Sequence, residues 1–279
     1  MIKLGQYNTL KAARTTQHGM YLEDEEGKEV LLPNKFVKPD LKIGSELTVF
    51  VFNDSEDRPT ATTVQPKILL HQFAFLQVKE VNKFGAFLDW GLEKDLLVPF
   101  SKQRLEMVKG SSYLVYLYID DESDRLVGSG RWQNHLNNEE LSVEKGEEVD
   151  LLVANATDLG VNVIINHKHL GLIYQNELFK KIKLGDQLKG YIKLIRPDNK
   201  IDVSLQQQGY AHVEPNAQLI LNALKANDGF LELNDHSSPD QIRDLLEMSK
   251  KTFKKAIGSL YKQKLIDLKP DGIYLLINY

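Results

Sequence analysis

Between Ser249 and Lys264 the chain carries Lys250, Lys251, Lys254, Lys255, Lys262 and Lys264, and no acidic residue. Six ammonium groups at that density attract phosphate if the segment holds them on one side. A helix does so. At about 100° per residue Lys251, Lys255 and Lys262 fall opposite an apolar stripe of Phe253, Ile257, Leu260 and Tyr261. Lysine supplies charge but little base readout, so such a face predicts sequence-neutral contact with a polyanion.

Catalytic constellations are poor by comparison. The absence of cysteine excludes disulfides, thiolate zinc sites, iron–sulfur clusters and cysteine nucleophiles. His167 and His169 lie two apart, on one face if in a strand, with no third metal ligand, and read as structural or exposed. Asp120, Asp121, Glu122 and Asp124 read as a solvated turn. Gly128-Ser129-Gly130 is too short for a nucleotide loop. No nucleophile triad can be assembled, so the expectation is a non-enzymatic chain with no metal and no cofactor.

The elements that position these residues follow from composition and pattern. The chain has 279 residues, 42% hydrophobic and 27% charged, enough to bury a core. Its net charge is -4, and subtracting the six lysines of 249–264 leaves -10 for the rest. No run approaches the roughly 18 apolar residues of a membrane span, and the start Met1-Ile2-Lys3-Leu4-Gly5-Gln6 has no apolar export region. A cytoplasmic protein with no membrane partner is expected.

One sparse pattern occurs three times. His18-Gly19-Met20-Tyr21-Leu22, Phe84-Gly85-Ala86-Phe87-Leu88 and Leu159-Gly160-Val161-Asn162-Val163 each set a glycine in a strand-like alternation. The second apolar runs end at Leu32-Pro33, Val98-Pro99 and Ile173-Tyr174. Twenty-five residues after each glycine comes another, at Gly44, Gly110 and Gly185. Within a copy the apolar period is two, as in Leu47-Val49-Val51 and Val115-Leu117-Ile119, and turn residues separate the runs. About five strands per copy are predicted, with a short irregular piece between the third and fourth, around 175–180 in the last copy. A strand-two glycine that lets the strand bend points to a small closed barrel.

After residue 210 the period changes. Residues 217–226 read as a helix, and Ser238-Pro239-Asp240-Gln241 starts another with a hydroxyl cap, a proline and a capping-box glutamine. Ser249 caps a third. Leu265-Ile266-Asp267-Leu268, a Pro270-Asp271-Gly272 turn and Ile273-Tyr274-Leu275-Leu276-Ile277 read as a hairpin, which completes a winged-helix arrangement.

The Gly-Ala-Phe-Leu core of the second copy, its Leu-Val-Pro and its Asp124-Arg125-Leu126-Val127 resemble the RNA-binding domain named after ribosomal protein S-one, an OB-fold barrel. Ser237-Ser238-Pro239, the run Met248 to Gly258 and Leu260-Tyr261-Lys262 resemble the C-terminal winged helix of the bacterial conserved virulence factor B family, which joins three such barrels to one winged helix. The fold class expected is therefore mainly β with a C-terminal α+β domain: three tandem five-stranded OB-fold barrels at 1–66, 67–143 and 144–213, then a winged helix at 214–279.

The resemblance implies RNA binding and post-transcriptional control of gene expression. Single-stranded RNA needs π surfaces for unstacked bases and cations along its backbone. Barrels of this type flank the strand-two glycine with aromatics. Phe84 and Phe87 keep both, and alternation puts Phe87 outside if Leu88 is core. His18 and Tyr21 form a weaker pair. The third copy has Leu159 and Asn162 there, with Tyr174 at the end of strand three, and is expected to be mainly structural. Accompanying cations are Lys83, Arg125 and Lys102 in the second copy, Arg14, Lys35 and Arg58 in the first, and Lys189, Lys193 and Lys200 in the third. Two other readings stay open: a DNA-binding regulator led by the winged helix, and a protein-docking adaptor with degenerate barrels.

Overall fold

The computed structural model describes residues 1–178, 181–206 and 215–276, which form two compact units, Met1–Val203 and Ser204–Tyr279. Period-two alternation produces β1 (Tyr7–Thr16), β2 (Gly19–Glu23), β3 (Glu29–Pro33), β4 (Glu46–Asn53) and β5 (Pro59–Thr62). They close as a barrel in the order β1-β2-β3-β5-β4 around Leu10, Leu22, Leu32, Val49 and Val51.

The second copy gives β6 (Phe73–Asn82), β7 (Gly85–Asp89), β8 (Leu96–Pro99), β9 (Ser112–Asp120) and β10 (Arg125–Ser129), ordered β10-β9-β6-β7-β8. Its edge strands β8 and β10 share no ladder. They meet by side-chain packing: a Cβ on Gly128 would lie 2.8 Å from Val98 Cγ2. The third copy, β11 (Glu148–Thr157), β12 (Gly160–Ile165), β13 (His169–Tyr174), β14 (Gln187–Ile195) and β15 (Ile201–Ser204), closes like the first. The irregular piece at 175–180 begins as a 3-10 turn, Gln175–Glu177; residues 179 and 180 lie outside the described residues, as do Ile277 and the boundary expected at 213/214.

The repeated glycines open strand two rather than bending its middle. Gly19, Gly85 and Gly160 have φ of 154°, 149° and 152°, and a Cβ on any of them would collide with the carbonyl oxygen of Leu32, Val98 or Ile173 on strand three. Close backbone approach, together with a torsion that L side chains avoid, therefore fixes the residue type.

Alternation fails where a barrel is covered on both faces. All of Val49-Phe50-Val51-Phe52 is buried. Val49 and Val51 face the barrel interior, while Phe50 and Phe52 enter the core of the second barrel with Trp90 and Leu92. The Phe50 and Trp90 rings meet edge-on at 5.9 Å. Leu152, Ala154 and Ile164 of the third barrel likewise join Phe73, Leu114 and Trp132 of the second. Fully buried Phe or Leu side chains contribute roughly 1.5–3 kcal/mol each, so these seams are substantial.

In the C-terminal unit, α1 (Pro215–Ala226), β16 (Phe230–Leu231), α2 (Pro239–Leu246), α3 (Lys250–Lys262), β17 (Ile266–Lys269) and β18 (Gly272–Leu275) form a winged helix, its sheet ordered β16-β18-β17. Ser238 Oγ accepts from Gln241 N at 3.2 Å, and Gln241 Oε1 accepts from Ser238 N at 2.9 Å. Phe253, Ala256, Ile257 and Leu260 face the core with Leu221, Ile242 and Ile273. Tyr261, expected in that stripe, is 52% exposed. It lies about 80° around the helix from Phe253, while Ala256 lies about 60° to the other side and takes the place.

Candidate nucleic-acid interface

In each barrel the first strand carries a bulge at the same point, between Ala12 and Arg14, Val78 and Glu80, and Val153 and Asn155. The extra residue changes the phase, so the residue after it turns outward, opposite the strand-two position two past the glycine. The resulting cross-strand pairs are Arg14 with Tyr21, Glu80 with Phe87, and Asn155 with Asn162. Their identities decide which barrel offers an open ring.

In the first barrel Arg14 lays its guanidinium over Tyr21, 3.8 Å from the ring centroid. Arg14 Nε and Nη2 donate to Glu29 at 2.9 and 2.6 Å. This hydrogen-bonded pair raises the pKa of Arg14 and lowers that of Glu29. Tyr21 thus has one face occupied by its own barrel. His18 is exposed, its Nε2 2.9 Å from Gln17 Nε2. In the third barrel Asn162 Nδ2 donates to Asn155 Oδ1 at 3.3 Å and no ring is present. There Tyr174 OH accepts from Arg196, whose guanidinium sits 5.7 Å from the ring and donates to Asp202 at 3.1 and 2.8 Å.

In the second barrel the partner is an acid, which supplies no cation to lie over Phe87. Phe87 is half-buried and Phe84 is 60% exposed. Phe84 N donates to Asn82 Oδ1 at 2.9 Å, which fixes the turn, and the Lys83 ammonium lies 5.0 Å from the Phe84 centroid. Among the described residues Lys83 enters no ion pair. Both rings line a groove of about 510 Å³ with Glu80, Trp90 and Arg125, and the first barrel contributes Asn53 from the end of β4 and Asp57 from the turn after it. Arg125 is held there: its Nη2 lies 2.6 Å from Asp57 Oδ2, while Lys94 Nζ lies 3.0 Å from Asp57 Oδ1 and donates to Asp54 O at 2.6 Å.

Most of the other barrel cations singled out in the sequence also pair with acids. Lys35 pairs with Glu93, Lys193 with Glu177, and Arg58 with Asp54 and Glu56 at 2.8 Å each. Lys189–Asp150 and Lys200–Asp198 both lie at 2.7 Å. Lys102 instead sits 5.6 Å from the Tyr118 centroid. There an aromatic group escaped the sequence reading: His135 stacks on Tyr116 at 4.1 Å, and His71 Nδ1 lies 2.9 Å from Tyr116 OH. The outward pair Tyr116 and Tyr118 was its visible signal. Burial lowers the His135 pKa, with Lys102 and His71 adding to the effect.

The two spaced histidines part company. His167 occupies a left-handed turn, φ 55°, and its Nδ1 accepts from Phe73 N at 3.2 Å across the seam. His169 is buried in β13, with Nδ1 2.5 Å from Asn137 O and Nε2 accepting from Ser142 N at 3.2 Å. They do not share a strand face because the chain turns between them. Among the described residues no group of three or more His, Asp or Glu could hold a metal ion, and no helix is long and apolar enough to cross a membrane.

On α3, Ser249 Oγ caps the helix by accepting from Thr252 N at 3.1 Å. Lys251, Lys255 and Lys262 are exposed opposite the buried face. Lys251 and Lys262 enter no ion pair among the described residues. Lys250 donates to His236 O at 3.4 Å, and Lys254 lies 3.8 Å from Asp235.

An S1 domain model matches residues 4–64, and a CvfB-like winged helix domain model matches residues 218–275. Conserved virulence factor B of Staphylococcus aureus, in strain N315 and in strain USA300, is 27% identical over 267 residues, covering 91% of this chain and 88% of the relative. The chain resembles the conserved virulence factor B family along nearly its whole length. The S1 match falls on the barrel whose Tyr21 is covered. A solved Streptococcus pneumoniae multidomain protein with nucleic acid binding domains is 26% identical, covers 98% of each chain and has a TM-score of 0.46. S1 and winged-helix domains support nucleic-acid binding as the coarse function.

Proposed function

We propose that the chain binds single-stranded RNA without catalysis, in post-transcriptional control of gene expression in the cytoplasm. The second-barrel groove stacks bases on Phe84 and Phe87, and the lysines of α3 meet phosphates. The observation that carries the reading is the open Phe84–Phe87 platform, whose counterpart in the first barrel is covered by Arg14. Stacking contributes about 1–3 kcal/mol per base. Phe84→Ala with Phe87→Ala is therefore expected to weaken binding of a labelled single-stranded RNA at least about fivefold in an anisotropy titration. Unchanged affinity overturns the reading.

The exposed lysine face of α3 on a winged helix favours a second reading, contact with duplex DNA. Competition separates them: unlabelled single-stranded RNA displaces the probe far better than duplex DNA if the barrels lead, and the order reverses if α3 leads.

A further inference from the structure

Glu80 lies directly across the strand pair from Phe87, where direct cross-strand Cβ atoms are about 4.5–5.5 Å apart. It is exposed, lines the groove, and among the described residues makes no ion pair or side-chain hydrogen bond. The other groove acids are engaged: Asp95 by Lys79 at 2.8 Å, and Asp57 by Lys94 and Arg125. Asn82 Oδ1 is taken by Phe84 N. An idle carboxylate beside a stacking ring repels the phosphates of any strand lying there, so its presence is offset only if it meets a donor on that strand. A base lying on Phe87 turns its edge toward it.

An ionised carboxylate only accepts hydrogen bonds. Cytosine presents an exocyclic N4 amino donor at the end of its edge, whereas uracil has a carbonyl oxygen there and its one edge donor, N3–H, is flanked by two carbonyl oxygens that repel a carboxylate. The two rings are the same size and stack alike, so the difference falls on the edge. We infer that Glu80 makes the second-barrel groove selective for bases bearing an exocyclic amino group, cytosine over uracil among pyrimidines; this rests on the stacking role given to Phe87. At the same register the first barrel has Arg14 and the third Asn155, so the selectivity belongs to the open platform alone.

The test is anisotropy titration of the full chain with labelled ten-nucleotide oligocytidylate and oligouridylate at pH 7.5 and one fixed salt concentration. The wild type binds the cytidylate about fivefold or more tighter. Glu80→Ala brings the ratio to about one, with the uridylate gaining affinity, and Glu80→Gln, whose amide rotates to serve either base, also narrows it. Equal wild-type affinities, or a ratio unchanged in Glu80→Ala, overturn the inference. Phe87→Ala distinguishes the levels: if it weakens both oligomers while the wild-type ratio is one, only the role of Glu80 falls. If it weakens neither, the groove is not the site and both readings fall.

Discussion

At the scale of single residues, one register position separates three barrels built on one pattern. Arg14 covers its ring, Glu80 leaves its ring open, and Asn155 faces an amide. Removing the cover has a defined outcome. Arg14→Ala frees the Tyr21 face, and calorimetric titration with a short single strand gains one site per chain. Gly85→Ala is expected to destabilise the second barrel by about 2–3 kcal/mol in urea unfolding, since its φ of 149° and the Val98 carbonyl leave no room for a Cβ. The rings were legible because alternation along β7 puts Phe87 opposite in sense to Leu88. Glu80 was not, because a bulge changes which residues face each other and leaves no mark in composition. Arg125 was placed near the rings by sequence, but its partner Asp57 comes from the preceding repeat, and only the fold brings that acid to the groove.

At the scale of elements, locally encoded features were readable and long-range ones were not. Ser238-Pro239-Asp240-Gln241 announces α2 because a cap is satisfied within four residues. Ser238→Ala is expected to cost the winged helix about 1 kcal/mol, read as a lower urea midpoint. The two-residue β16 exists only because β18 pairs with it, Phe230 opposite Tyr274, and so gave no signal of its own. The seam between the second and third barrels is expected to be pH-sensitive. Burial holds the His135 and His167 pKa values below the usual 6.5; Lys102 and His71 push His135 further down, and Asp150 opposes the shift at His167. The unfolded chain then binds protons first, so these sites' stability is full above about pH 6.5 and declines as pH falls through 6.5 toward the folded values. Thermal unfolding at pH 7.5 and 5.5 should show a lower midpoint at the acid end, and His135→Gln should reduce the difference.

At the scale of the whole molecule, charge is divided by task. The net -4 averages a barrel array, many of whose cations pair with acids, with α3 and the turn after it, which carry six lysines and no acid. Stacking and charge therefore respond differently to salt. Replacing Lys251, Lys255 and Lys262 with Gln should lower the salt slope for a single strand by about 2, at about 0.7 per phosphate, while Phe84→Ala weakens binding and leaves the slope alone. The three repeats were countable from Gly19, Gly85 and Gly160, but their fusion was not, because outward Phe50 and Phe52 look like core until a neighbour covers them. The fusion also limits the count. The outward residues of the fourth strand run from Phe50 and Phe52 in the first barrel to Tyr116 and Tyr118 in the second and to Tyr191 and Lys193 in the third. Each step is more polar, and the last ends in a lysine paired with Glu177. A further barrel would meet a more polar strand there, and deleting the middle one would uncover Phe50 and Phe52. The repeats are therefore not interchangeable blocks, since the outward strand of each suits the neighbour it has.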